Sequence, residues 1–175
     1  MPLSTCGRVL DLYLVRHAIA DSRDPARWPD DSQRPLTDKG IARFRRAARG
    51  LHRLVPEVDV VLSSPYTRAW QTAEILEQEA GWPAPERCHA LEPGRLPAGA
   101  LDVLKPEISS VVLVGHEPYL SRLASLLLSE KEYAARIDLK KGAVIRLDCV
   151  NGPRPGGAVL RWSATPRMLR ALDER

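Results

Sequence analysis

Three short runs in the 175-residue chain are apolar at almost every position and rich in β-branched residues: 9–15 (VLDLYLV), 58–62 (VDVVL) and 111–114 (VVLV). A strand with one wet face alternates polar and apolar positions, so runs without that alternation predict strands covered on both faces. Between the first two, Ile41, Phe44, Ala47, Ala48, Leu51, Leu54 and Val55 recur at helical spacing, while Arg43, Arg45, Arg46, Arg49 and Arg53 fall on the other side. This predicts one amphipathic helix over 38–55 with a solvated arginine face. Ser64 and Pro65 read as the start of a second helix, which Ala69, Ala73, Leu76 and Ala80 continue to a stop at Gly81. A third helix is expected over 119–128. Residues 143–150 and 158–163 read as two further strands, and the turn-rich NGPRPGG between them suits a hairpin at a sheet edge. Strands alternating with helices require parallel pairing through crossovers. The expected architecture is a three-layer α/β/α sandwich with a mostly parallel central sheet and an edge hairpin.

Length and composition narrow this reading. Residues 1–175 fit one domain with a core of its own, and no repeat, low-complexity tract or linker divides them. Cys6, Cys88 and Cys149 are odd in number and widely spaced, which suggests neither a disulfide framework nor a zinc ribbon and suits a reducing cytoplasm. The apolar start is interrupted by Arg8, Asp11 and Arg16, so neither export nor membrane insertion is expected. A net charge of +4 is only mildly basic, and the arginine-rich helix lacks an aromatic stacking platform, so nucleic acid is not an expected partner.

The candidate chemistry lies where each of the three runs ends: Arg16-His17, then Ser63-Ser64-Pro65-Tyr66-Thr67-Arg68, then Gly115-His116. Ligands of open α/β sheets bind beyond the carboxyl ends of the strands, so these residues are expected to converge. The cluster lacks the carboxylates of a divalent-metal site, and no GxxxxGK[ST] loop is present. An anion is the natural ligand. Arg16 and Arg68 could hold phosphate by two-point contacts, a neutral His17 could attack phosphorus, and His116 could donate to the equatorial oxygens. A cysteine nucleophile is excluded by spacing: its loop needs five residues between cysteine and arginine, whereas Cys88 to Arg95 has six and Cys149 to Arg154 has four. Asp21, Asp24, Asp30 and Asp31 fall in a Pro-rich stretch that reads as a solvated loop. His52 reads as a surface residue, His89 as a strand-edge residue, and Glu117 as support for the helix after it.

LVRHA, SSPYTRAWQTAE and VGHEP, in that order across positions 9–125, resemble the histidine phosphatase (phosphoglycerate mutase-like) superfamily. RPLTDKG at 34–40 and the small size resemble its SixA-type phosphohistidine phosphatase branch. The resemblance implies a phosphohistidine intermediate on His17, with Arg16, Arg34, Arg68 and His116 around the phosphoryl group and no metal or cofactor. It also implies hydrolysis of phosphohistidine on a protein, with a phosphorylated protein as partner. Ala18 stands where the commoner motif has glycine, so a small adjustment of that loop is expected. Glu92 in LEPG is the candidate general acid. Only 93–110 separates it from the third strand, too short for a lid domain, and an open site suits a phosphate presented on a protein. A small-molecule phosphomonoesterase and a basic module that merely captures phosphorylated ligands are the alternatives.

Overall fold

The computed structural model describes residues 8–105 and 107–174, and Cys6 lies outside them. Six strands, β1 (Val9–Arg16), β2 (Val60–Ser63), β3 (Glu86–Arg87), β4 (Ser110–Gly115), β5 (Val144–Val150) and β6 (Ala158–Ala164), form one sheet in the order β3-β2-β4-β1-β5-β6. The pairs β3/β2, β2/β4 and β4/β1 are parallel. β5 runs antiparallel to β1 and β6 antiparallel to β5, which is the expected hairpin at the sheet edge.

Successive residues of β1 serve opposite faces, and both faces are covered. Tyr13 and Val15, with Val61, Val112 and Val114, pack under α1 (Asp38–Leu54) and α2 (Thr67–Ala80) through Phe44, Ala47, Leu51, Ala69 and Leu76. Leu12 and Leu14, with Leu113, Ile145 and Leu147, pack under α3 (Tyr119–Ser129) through Leu120, Leu123 and Leu127. Burying such a side chain is worth about 1.5–3 kcal/mol, which is why the uninterrupted apolar runs identify the central strands.

The arginine face of α1 stays exposed as expected, and α4 (Pro166–Asp173) and Glu79 of α2 border it. Arg49 bonds Asp173 at 2.9 Å and Glu79 at 2.8 Å, and Arg46 bonds Glu174. Gly50 allows the close approach: a Cβ there would lie 1.8 Å from the Leu169 carbonyl oxygen. The second helix begins at Thr67, not at Ser64-Pro65, and Gly81 ends it in the left-handed conformation (φ 68°). That later start puts Arg68 in the first helical turn. No helix among the described residues is long and apolar enough to cross a membrane.

Candidate active site

The sheet order makes the three sequence motifs neighbours. β4 lies between β1 and β2, the His17 N–H donates to Gly115 O (3.0 Å), and the Ser64 N–H donates to Val114 O (3.0 Å). The chain therefore leaves all three strands at one edge of the sheet. Arg16, His17, Arg34, Arg68 and His116 line one cavity of about 440 Å³ there.

His17 is 6% exposed, and its ring centroid lies 5.3 Å from that of His116. Its Nδ1 lies 2.7 Å from the Ala18 carbonyl oxygen, which can only accept, so Nδ1 carries the hydrogen and Nε2 keeps its lone pair. Burial, reinforced by the charges of Arg68 and Arg16, depresses its pKa to about 3. The imidazole is thus neutral at pH 7, the form a nucleophile needs. His116 is likewise held neutral, with a pKa pushed down to about 2 by burial and then by His17 and Arg68. Its Nε2 lies 2.9 Å from Ser64 Oγ. The loop after His17 needs no glycine. Ala18 is absent from the residues of positive φ, and its N–H donates to Thr72 Oγ1 (3.0 Å), whose hydroxyl donates to Arg68 O (2.7 Å).

The arginines are fixed from behind. Arg16 Nη1 donates to Leu139 O (2.8 Å), and Arg34 Nη1 donates to Asp21 O (2.8 Å). Asp31 holds two guanidinium groups at once: Oδ1 accepts from Arg34 Nε (2.8 Å), Oδ2 pairs with Arg68 Nη2 (3.0 Å), and its backbone O accepts from Arg68 Nη1 (2.8 Å). Burial alone would raise the Asp31 carboxyl. The hydrogen bond from Arg34 and the charges of Arg68 and Arg34 outweigh it and hold the group below the usual carboxylate range. Asp31 is therefore not the solvated loop residue that its Pro-rich setting predicts; its place three residues before Arg34 is the one sequence signal of the pairing. Arg16 Nε, Arg68 Nε and His116 Nδ1 are buried without a hydrogen-bond partner among the described residues. An oxyanion in the cavity is a natural acceptor for the two arginine nitrogens, and for His116 when Nδ1 carries the hydrogen.

The remaining carboxylates differ in position. Glu92 is not in the cavity lining, although Pro93 beside it is; its carboxylate meets His89 Nδ1 (2.7 Å) and Arg95 Nη2 (3.6 Å). Glu117 does line the cavity. Its Oε1 accepts from the Ser121 N–H (3.1 Å), the helix support expected of it, and burial raises its pKa. Lys141, which the sequence did not single out, lines the cavity too, its pKa lowered by burial and then by Arg16, Arg34 and Arg68. Among the described residues, no three His, Cys, Asp or Glu side chains are grouped to hold a metal ion.

The family model of the histidine phosphatase superfamily (branch 1) matches residues 12–92. An uncharacterized protein of Picosynechococcus sp. strain PCC 7002 is 36% identical over 142 residues, covering 79% of this chain and 84% of that protein. Among solved structures, the protein histidine phosphatase SixA complexed with tungstate superposes with a TM-score of 0.77 at 23% identity, over 90% of this chain and 98% of that one. Mycobacterial glucosyl-3-phosphoglycerate phosphatase superposes with a TM-score of 0.68 at 18% identity, over 90% and 100%. The layered sheet is the phosphoglycerate mutase-like fold, and the chain belongs to the histidine phosphatase superfamily.

Proposed function

We propose that this chain is a metal-independent phosphohistidine phosphatase that hydrolyses the phosphoramidate bond on a protein substrate. The observation that carries this reading is His17: a neutral imidazole with its tautomer set by a backbone carbonyl, buried against two arginines. Arg16, Arg34 and Arg68 hold the phosphoryl oxygens, and His17 Nε2 attacks phosphorus in line. The P–N bond to the substrate breaks, and its imidazole leaves neutral when the other ring nitrogen carries a proton. His116 stabilises the charge on the equatorial oxygens. Water then attacks phosphorus on His17, releasing phosphate and restoring the imidazole.

A protein substrate is supported by the openness of the site. Among the described residues of 93–110 none forms a lid; Pro97–Val103 form a short 3₁₀ segment, and Ala100 and Leu104 tuck into the core beneath α3. The likeness to SixA is consistent with this reading. A cytoplasmic location belongs to it as well, with Cys88 and Cys149 both free thiols.

One observation favours a second reading. Glu117 is a cavity carboxyl whose pKa is raised by burial, and such a group can protonate the alkoxide of a phosphate ester. A small-molecule phosphomonoesterase would use it, and Glu117→Gln would then slow ester hydrolysis by about 10²-fold while sparing the phosphoramidate.

Brief incubation with a labelled phosphohistidine peptide, then quenching, should leave acid-labile, base-stable label on the protein and none on His17→Ala. Label persisting in that variant would remove His17 as nucleophile. Faster turnover of sugar phosphates than of the peptide would make the esterase the better reading. Phosphate-competitive binding without turnover would mark a binding module.

A further inference from the structure

Next to the phosphate cavity lies a second one of about 520 Å³, and Arg16 and Lys141 line both. Its wall is apolar where Ile19, Phe44 and Pro166 meet between α1, the start of α4 and the residues before β5. Arg43, Lys140, Lys141, Arg167 and Arg170 surround that wall, and no carboxylate lines it. Among the described residues none of these five cations has a carboxylate within ion-pair distance, whereas Arg45, Arg46 and Arg49 of the same α1 are paired with Glu79, Asp173 or Glu174. The crowding is felt by Arg170, whose pKa is lowered by burial and then by Arg43, Arg46 and Arg167, which outweigh the opposing charge of Glu174.

We propose that this groove binds an acidic segment of the protein substrate, flanking the phosphorylated residue, and so selects among phosphoproteins. Unpaired cations around an apolar wall match carboxylates interleaved with an apolar side chain. The shared Arg16 and Lys141 put the groove directly beside the phosphate cavity, within reach of one peptide. The site is a concave slot between two helices, a shape that suits a peptide better than a flat bilayer. The proposal rests on a protein substrate, as argued above.

The test compares two ten-residue phosphohistidine peptides, one with three glutamates beside the phosphorylated residue and one with three glutamines. Two exposed charge pairs at up to about threefold each imply kcat/KM roughly tenfold higher for the acidic peptide. The preference should fade between 0.05 and 0.5 M salt. Arg43 and Arg167 are exposed and lie outside the phosphate cavity, so the Arg43→Glu/Arg167→Glu variant should fold. It should lose the preference while turning over the glutamine peptide and free phosphoramidate as the wild type does. Equal rates on both peptides in the wild type, or a preference that survives in the variant, would overturn the proposal. Failure to turn over free phosphoramidate would instead remove the catalytic reading. The groove would then still be tested by anisotropy of the unphosphorylated acidic peptide, whose binding should weaken about tenfold in the variant. Binding to phosphatidylserine vesicles through Arg43 and Arg167, without peptide binding, would overturn the proposal in favour of a membrane surface.

Discussion

The phosphate cavity and the groove beside it are both rich in cations but hold them in opposite ways. In the cavity, Arg68 is almost fully buried and Arg34 largely so, and Asp31 ties the two together. In the groove, Arg43, Lys140, Lys141 and Arg167 are exposed and carry no carboxylate partner among the described residues. A buried, braced guanidinium can meet a small dianion at fixed distances without reorganising. An exposed, mobile cation contributes a diffuse field that tolerates many sequences. On the proposed reading, the contrast gives the chemistry to one region and the choice of partner to the other.

Breaking the braced side should give the largest effect. Arg68→Ala is expected to lower kcat/KM on any phosphorylated substrate by about 10³-fold, the scale for losing a preorganised donor to developing charge. Arg43→Ala should cost no more than about threefold, and only on an acidic peptide. Arg68→Lys should recover little, because an ammonium cannot meet both the Asp31 carbonyl and carboxylate while also holding phosphate. Steady-state kinetics on a phosphohistidine peptide would decide this. Equal losses for Arg68→Ala and Arg43→Ala would erase the distinction between the two regions.

The buried histidines add a pH dependence that the exposed groove cannot. Both are depressed in the fold, His17 to about 3 and His116 to about 2, against an unfolded value near 6.5. Stability is therefore full above pH 6.5 and drains as pH falls toward the folded values, because only the unfolded chain takes up the protons. At pH 5 the cost is at most about 2 kcal/mol per histidine. Urea unfolding at pH 7 and pH 5 should show the drop in the wild type and a smaller one in His17→Gln/His116→Gln. The same drop in both would mean that carboxylates govern acid stability.

What was legible in the sequence was whatever a short stretch of chain decides by itself. The three buried strands announce themselves by composition, and the residues that leave them had to converge once the strands were parallel neighbours, so His17, Arg16, Arg68 and His116 could be found. Arg34 came from a resemblance, since nothing in RPLT alone says that it faces the cavity. Asp31 was hidden because its partners are 3 and 37 residues away and its surroundings are those of a surface loop. α4 was hidden because only Leu169 of its eight residues is buried, too weak a pattern to read as helical periodicity. Without α4, neither the pairing of the α1 arginines nor the groove at Arg43 could be foreseen.

Asp31 offers a finer test of bracing. Asp31→Asn keeps the backbone acceptor for Arg68 but removes the charge that sets both guanidinium groups. The expected result is a kcat about tenfold lower, with inorganic phosphate inhibiting at least as strongly because the cavity becomes more positive. Unchanged kcat would make Asp31 an ordinary surface ion-pair partner.

The smallest effect is expected at Glu92. Its carboxylate is held by His89, whose side chain is 73% exposed, and by Arg95 at 3.6 Å, a solvated arrangement outside the cavity lining. Such pairs contribute at most about 1 kcal/mol to stability. A proton donor has to come within hydrogen-bond reach of the leaving atom, and Glu117 rather than Glu92 shares the cavity with His17. Glu92→Gln should therefore change turnover of the phosphoramidate and of a phosphate ester by less than about twofold. A tenfold loss confined to the ester would mean that the loop carrying Glu92 and Pro93 folds over the bound substrate, and the exposed side of the site would then share in the chemistry that the braced side is proposed to perform.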